Sequence, residues 1–596
     1  RISDEPSLHA RLSVSGASPP FVGRKAELDQ VRTAVLERQG NEVQILRLRA
    51  AAGMGKTHLL RRIASDLRQS GQCAVVSGRC DLEETVPFQA LDGAMGQLVD
   101  WMLDRPQPEQ ASLLQATDAS TAKLFPSFQR LPPLSSSVED GPLPDEVRVR
   151  RRALRSLRGL LGVVSRTRRV ALLLDDAQWL DGDSLVVLQE LLRPPDAPPI
   201  TVIATERPSP GRPLPLDSLD MSTQVLPLGP LARDEAAAML ADEGLSELAT
   251  TQVLDEAGGH PLFLTTLAAA MRAGGGRIPR SMAEATAARM AGLSGPARSL
   301  LELLAVAHSP LPRRVADAAL NPAPSSAALA DLLGLRLVRR AGLAQQGDGA
   351  VPSVHRGTYE PYHALVREVV VQGIKPERQQ ALHRALGRAW RDWGVGSAEE
   401  AGRHWLAAHD LKSAKPALEA AATRAETALA FGRAATLRGE LVGIARATEH
   451  EVRLAHERHG RALALAGEVA EAARAYDAAA DLATGLHRLT LQRLAATQFL
   501  TGGYVDEAME RFSAVLRAVG LRVPPVGAPS FLLQLAVPAA AAAWSRPSEI
   551  PHGERAEIAF AMATRLGNVN PLLGRLLEIH HGPGHRRPAR EGDGAG

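Results

Sequence analysis

Two cysteines, Cys73 and Cys80, are all that this chain of 596 residues contains. They flank a predicted strand, and no second pair exists to complete a zinc site, so no metal role is expected of them. Two lone thiols in so long a chain fit a reducing, cytoplasmic setting. Aromatic residues are scarce too, at 3%. Ala, Leu and Arg dominate instead, and they lose little on entering a helix. Charge of one sign is missing as well. The 69 basic residues nearly balance the 66 acidic ones, an excess too small to indicate nucleic acid as a partner. Long apolar runs are absent. The longest, Phe531 to Trp544, has 14 residues interrupted by Pro538, short of the ~20 that span a bilayer. A soluble protein with no membrane partner is expected. No signal peptide opens the sequence and it does not begin with Met, so a piece of a longer chain is expected.

What is present is an alternation of two patterns. Residues 1–20 read as a polar linker. From Phe21 to about Pro208, short apolar runs alternate with amphipathic helical stretches. The runs are Val43 to Leu48, Ala74 to Ser77, Val170 to Leu174 and Ile200 to Thr205. Strands alternating with helices predict a parallel sheet covered on both faces. Leu131 to Glu146, rich in Pro and Ser, reads as an excursion from that core. The expected order is a P-loop α/β core over 21–227, then a helical lid over 228–280. A winged-helix-like domain over 281–375 follows, with an alternating piece at Leu335 to Val338. All-α helical repeats over 376–575 and a disordered tail over 576–596 complete the chain.

The repeats show in the sequence itself. Gly467, Glu471, Ala472 and Tyr476 recur as Gly503, Glu507, Ala508 and Phe512, a spacing of 36 residues. A weaker copy is His409, Ser413, Ala414 and Leu418. Small residues at a helix–helix contact with a large one a turn later suit stacked helix pairs, close to the ~34-residue tetratricopeptide period.

The chemistry concentrates in Ala50-Ala51-Ala52-Gly53-Met54-Gly55-Lys56-Thr57, between a predicted strand and a predicted helix. That is a phosphate-binding loop in its strand–loop–helix context. Gly53, Met54 and Gly55 would turn backbone N–H groups toward phosphate, at a helix N-terminus that adds partial positive charge. Lys56 should reach the β- and γ-phosphates and the Thr57 hydroxyl should ligate Mg²⁺. His58 completes the candidate nucleotide-binding set. Ala50 replaces the first glycine of the general pattern, which alanine satisfies if φ is negative. The strand Val170 to Leu174 ends in Asp175-Asp176, placing two carboxylates at the carboxyl edge of the sheet beside the loop. Asp175 is expected to hold Mg²⁺ directly or through water, and Asp176 to polarise the attacking water. After the strand at Ile200, Thr205-Glu206-Arg207 puts polar and cationic groups at the same edge. Arg207 reads either as a catalytic γ-phosphate sensor or as a surface arginine ending a strand.

Phe21-Val22-Gly23-Arg24, the loop, Asp175-Asp176-Ala177-Gln178-Trp179-Leu180-Asp181 and Gly259-His260-Pro261 occur in this order. The set resembles the STAND class of AAA-like signalling ATPases, with winged-helix and repeat domains after the ATPase. The resemblance implies ATP or ADP as ligand, with Val22, Gly23, Arg24 and Pro261 beside the adenine. It also implies a nucleotide-sensing or a buried structural role for His363. Gly78-Arg79-Cys80, Val86-Pro87-Phe88 and Leu124-Phe125-Pro126 look like large bacterial regulators in which a serine/threonine kinase precedes such a module. No kinase motif occurs in this chain. The expected function is a slow ATPase switch whose repeat arm takes a protein partner or small inducer, with nucleotide-dependent self-association. LuxR-type transcription regulators share the core and are the alternative, although DNA binding is not expected of this chain alone.

Overall fold

A computed structural model describes residues 21–37, 42–80, 88–132, 134, 145–208, 213–219, 221–272, 282–307, 309–341, 357–394, 398–445 and 448–518. The expected linker, the run at Phe531, the C-terminal tail, Val86-Pro87 and most of the Pro/Ser excursion lie outside them. The chain divides into two units, Arg1–Ala430 and Phe431–Gly596.

The first unit begins with helix α1 (Lys25–Leu36), strand β1 (Gln44–Arg49), α2 (Lys56–Gln69), β2 (Cys73–Arg79) and α3 (Gln89–Leu103). Next come α4 (Gln107–Gln115), α5 (Thr121–Leu124), α6 (Asp145–Ser165), β3 (Arg169–Asp175), α7 (Gly182–Leu192), β4 (Ile200–Glu206) and β5 (Thr223–Pro227). The five strands form one sheet in the order β2-β3-β4-β1-β5, and every pairing is parallel. Alternation along each strand sends side chains to opposite faces. Leu46, Leu48, Ala171, Leu173 and Ile203 pack with α1 and α2. Ile45, Val170, Leu172, Leu174 and Val202 are just as buried, so both faces are covered, as the continuous apolar runs predict. Strand β5 has no counterpart among the expected strands. It lies at the sheet edge, and only Leu226 of its Thr-Gln-Val-Leu-Pro is buried. An edge strand with one buried side chain produces no apolar run.

Helices α8 (Arg233–Leu240), α9 (Glu247–Ala257) and α10 (Pro261–Arg272) enclose a small core that includes Val253, Leu264 and Leu267. After α11 (Met282–Ala291) come α12 (Gly295–Val306), β6 (Leu311–Pro312), α13 (Arg313–Ala319), α14 (Ser326–Gly334), β7 (Val338–Arg340), β8 (Thr358–Pro361) and α15 (Ala364–Gln372). The three short strands pair antiparallel with β8 in the centre. The alternating piece expected at Leu335 is only partly strand. Leu335 to Leu337 form the turn after α14, where Arg336 has φ 51°, and β7 starts at Val338. Helices α16 (Pro376–Trp393), α17 (Ala398–Ala407) and α18 (Leu411–Thr427) share one hydrophobic core with α12–α15, from Ala297 to Ala414.

The second unit contains α19 (Phe431–Ile444), α20 (Glu449–Ala466), α21 (Val469–Asp481), α22 (Gly485–Thr501) and α23 (Val505–Ala518). Each packs against the next. The repeat copies mark equivalent positions. Gly467 (φ 88°) and Gly503 (φ 80°) are the turn residues before α21 and α23, and His409 (φ 58°) is that of the weaker copy before α18. A left-handed residue at this point suits glycine and strains histidine, which is why the third copy is harder to see. Ala472 and Ala508 are fully buried, as is Phe512 one turn on, and Tyr476 is buried at the matching position.

Candidate functional site

The loop between β1 and α2 turns through Gly53 (φ 80°) and Gly55 (φ 86°). A side chain on Gly55 would meet nothing within 4 Å, so its backbone conformation, not crowding, demands glycine. Lys56 opens α2 and is buried. Its Nζ donates to the carbonyls of Ala50 (3.0 Å) and Ala51 (2.9 Å), curling back over the loop. Burial lowers the Lys56 pKa, Asp176 and Asp175 work against that, and Arg207 adds to it. Met54 is buried under the loop.

Asp175 ends β3 fully buried. Its Oδ1 accepts from the Thr57 hydroxyl (3.2 Å) and the Thr205 hydroxyl (2.7 Å), whereas Oδ2 has no hydrogen-bond partner among the described residues. A buried carboxylate oxygen without a donor is costly. Next to a threonine hydroxyl, this donor set fits a hard divalent cation with oxygen ligands such as Mg²⁺. Asp176 takes a left-handed conformation, φ 57°. Its N–H donates to Thr205 Oγ1 (2.8 Å), and its Oδ1 accepts from Gln178 Nε2 (3.0 Å). Burial and then the charge of Asp175 raise its pKa, the direction that makes a carboxylate a better proton acceptor.

Thr205 thus sits between both acids, a role the sequence reading passed over in favour of its neighbour. Arg207 presents an exposed side chain, while its backbone N–H donates to Gln178 Oε1 (3.0 Å). The Gln178 amide therefore ties Asp176 to the end of β4. Sequence signals for both existed, Thr205 as the hydroxyl ending an apolar strand and Gln178 two residues past the acids. Asp181, from the same motif, caps α7 by accepting from Ser184 N–H (2.8 Å).

The start of α10 closes on the loop. His260 Nδ1 accepts from Phe263 N–H (3.4 Å), which leaves the proton on Nε2 to donate to Ala52 O (3.0 Å). Leu262 N–H donates to Gly53 O (3.2 Å). Pro261, between them, is buried. Pro261 is the residue of this motif expected at the nucleotide, yet His260 makes the side-chain contact. Val22 and Gly23 are half-buried and Arg24 is buried. Arg24 N–H donates to Glu235 Oε1 (3.2 Å), and a Cβ on Gly23 would fall 2.3 Å from that same oxygen. Glu235 Oε2 accepts from Ala232 N–H (3.1 Å) at the head of α8. One carboxylate therefore joins the segment before α1 to the helices after the sheet.

Burial, then Arg61 and Arg339, push the His58 pKa down to about 4, so its ring is neutral near pH 7. His363 caps α15 by accepting from Leu365 N–H through Nδ1 (3.2 Å). Burial, then Arg339, Arg207, His260 and Lys56, push it down to about 4 as well, which puts it within the field of the loop lysine.

The family of AAA ATPase domains matches residues 20–203. Residues 20–203 are thus similar to an AAA ATPase domain. Nucleotide binding goes with such a domain, and the loop and Asp175 lie within the matched residues, with Thr205 two residues beyond them. No curated protein matches the chain in sequence. Among solved structures, the chain is similar to a signal transduction ATPase with numerous domains (STAND) and a tetratricopeptide repeat sensor, from Pyrococcus horikoshii. That similarity has 13% identity and a TM-score of 0.49, covering 95% of this chain and 74% of the other. Among the described residues no helix is long and apolar enough to cross a membrane.

The His363 shift has a consequence for stability. An imidazole with folded pKa about 4 and ordinary value 6.5 binds fewer protons folded than unfolded between those pH values. Stability from this group is therefore full above 6.5 and lost as pH falls toward 4, by up to about 3 kcal/mol. His363→Asn keeps a capping side chain without the titration. Its thermal midpoint should fall less than that of the wild type between pH 7 and pH 5; parallel declines would refute the assignment.

Proposed function

We propose that this chain is a STAND-type signalling switch that binds ATP or ADP with Mg²⁺ and hydrolyses ATP slowly. One observation supports this reading above the others: Lys56, Thr57, Asp175 and Thr205 share one sheet edge while the backbone of α10 bonds to the loop between them. Lys56 exchanges the carbonyls of Ala50 and Ala51 for the β- and γ-phosphates, and Gly53 to His58 wrap them. Thr57 and Asp175 hold Mg²⁺, which when bound neutralises phosphate charge. Asp176 takes the proton of the attacking water, oriented by Thr205 and Gln178. Arg207, exposed at the same edge, stabilises charge at the γ-phosphate. Val22, Gly23, Arg24 and Pro261 border the adenine, and His363 reads the nucleotide from α15.

The proposed division is a core to residue 227, a lid to 280, a winged-helix-like domain to 375 and tetratricopeptide-like repeats beyond. The repeats receive a protein partner or small inducer, and nucleotide exchange sets self-association. Two buried thiols, Cys73 and Cys80, fit a cytoplasmic protein, and the module suits a large bacterial regulator.

Asp176→Asn tests the chemistry. The amide keeps the shape but accepts no proton, so phosphate release should fall on the order of 100-fold while titrated ATP affinity stays within about threefold. Wild-type turnover in this variant would sink the base assignment. Turnover in the unaltered chain should also decline on acidification at a pH above the ordinary carboxylate pKa of about 3.9, because the Asp176 pKa is raised.

A further inference from the structure

The metal edge of the sheet carries more cations than the nucleotide reading uses. Arg79, the last residue of β2, stands in register with Asp175 on β3. Its Nη1 and Nη2 donate to Glu360 Oε1 (2.8 Å) and Oε2 (3.3 Å), on the central strand of the three-stranded sheet. Arg339, opposite Glu360 in the β7–β8 register, donates through Nε to the same Oε1 (2.9 Å). Glu360 is buried and ionised: burial opposes its charge, but Arg339 and Arg79 outweigh it and lower its pKa. Arg61, one helical turn after Thr57, lies in the field of Asp175, Arg339, Arg79 and Glu360, and its buried Nε has no hydrogen-bond partner. With Lys56, Arg207 and Arg367, six cations lie around three carboxylates among the described residues. One carboxylate from a different sheet therefore neutralises guanidiniums next to the place where a terminal phosphate would bring negative charge.

We infer that Glu360 is an internal competitor of the γ-phosphate, holding Arg79 and Arg339 while no third phosphate is present and yielding Arg79 to ATP but not to ADP. This rests on the nucleotide-site reading above. ATP then binds against the charge of Glu360, and part of its binding free energy goes into parting β2 from β8. ADP, ending one phosphate short, leaves the Arg79–Glu360–Arg339 triad in place. Discrimination between the two nucleotides arises from their differential affinity for the two arrangements, as any ligand-driven shift must.

The test is titration of the full chain with Mg·ATP and with Mg·ADP. In Glu360→Gln the competitor loses its charge, and the ratio of ATP to ADP affinity should rise about tenfold, a change ordinary for removal of one nearby charge. Because that variant takes a counter-charge from two half-buried guanidiniums, a second one, Glu360→Gln with Arg339→Gln, removes one charge of each sign. Its ratio should rise as well. A ratio within twofold of wild type in the folded variants overturns the proposal, as does an equal loss of both affinities. Lys56→Ala in the same series separates the two levels of inference. If it loses both nucleotides while the Glu360 variants keep the wild-type ratio, only the competition fails. If it binds as the wild type does, or the wild type binds neither nucleotide, the nucleotide-site reading fails with it.

Discussion

Replacing Lys56 with alanine should lower the affinity for both ATP and ADP by one to two orders of magnitude. The lysine is buried, and its ammonium now satisfies itself on the carbonyls of Ala50 and Ala51. Those acceptors are neutral. A phosphate oxygen in their place makes a charge-assisted bond in a largely desolvated site, worth roughly 1.5–3 kcal/mol. The depressed lysine pKa points the same way, since a cation held by burial against its own charge gains most when an anion arrives. Folding should be little affected, because Ala51, one of the two residues whose carbonyls the ammonium bonds, is exposed to water. Calorimetric titration of wild type and variant gives the answer directly, with thermal midpoints as a check on folding. Equal affinities would remove the loop between β1 and α2 as the nucleotide site.

The core of this site was legible because its constraints are local. A phosphate loop needs glycine and lysine at fixed spacing, and Asp175-Asp176 follows an apolar strand without interruption. Sheet topology then does the rest, since parallel strands deliver their ends to one edge. Groups set by tertiary contact were not legible in the same way. Thr205 looks like any strand end until β4 is placed beside β3, where its hydroxyl meets Asp175. Glu360 and Arg79 are 281 residues apart in sequence, and nothing local in either segment announces the other. His260 stands inside the Gly259-His260-Pro261 motif, but its bond to Ala52 O comes from tertiary contact. Strand β5 was lost because periodicity reports burial, and an edge strand with one buried residue has almost none to report. The repeats were found through their small residues and turn glycines, and the copy with His409 in place of glycine was correspondingly faint.

A second large effect is expected behind the site, at Glu206. This residue ends β4 with no exposed surface, and its carboxylate takes both Arg47 Nε contacts at 2.9 Å and Arg49 Nε at 3.0 Å. Arg47 is itself buried in β1, and Asp217 binds its other end at 2.7 Å. A charged network inside a parallel sheet contributes little net stability while intact, because desolvation offsets most of the attraction. Breaking it is different. Glu206→Gln would leave Arg47 buried with half its counter-charge, at a cost of about 3–5 kcal/mol. For a domain of this size that corresponds to a loss of roughly 10 °C in the midpoint of its thermal transition. Replacing both partners, as in Arg47→Met with Glu206→Leu, should cost less than the single change, since no charge is stranded. The same network holds the strand end one residue beyond Thr205, so it also fixes the hydroxyl between Asp175 and Asp176. Hydrolysis should therefore fall in Glu206→Gln even where the protein is still folded, and recover only in part in the double variant. A single variant with the wild-type midpoint would mean that water reaches Arg47 and that the strand end is held by the sheet alone.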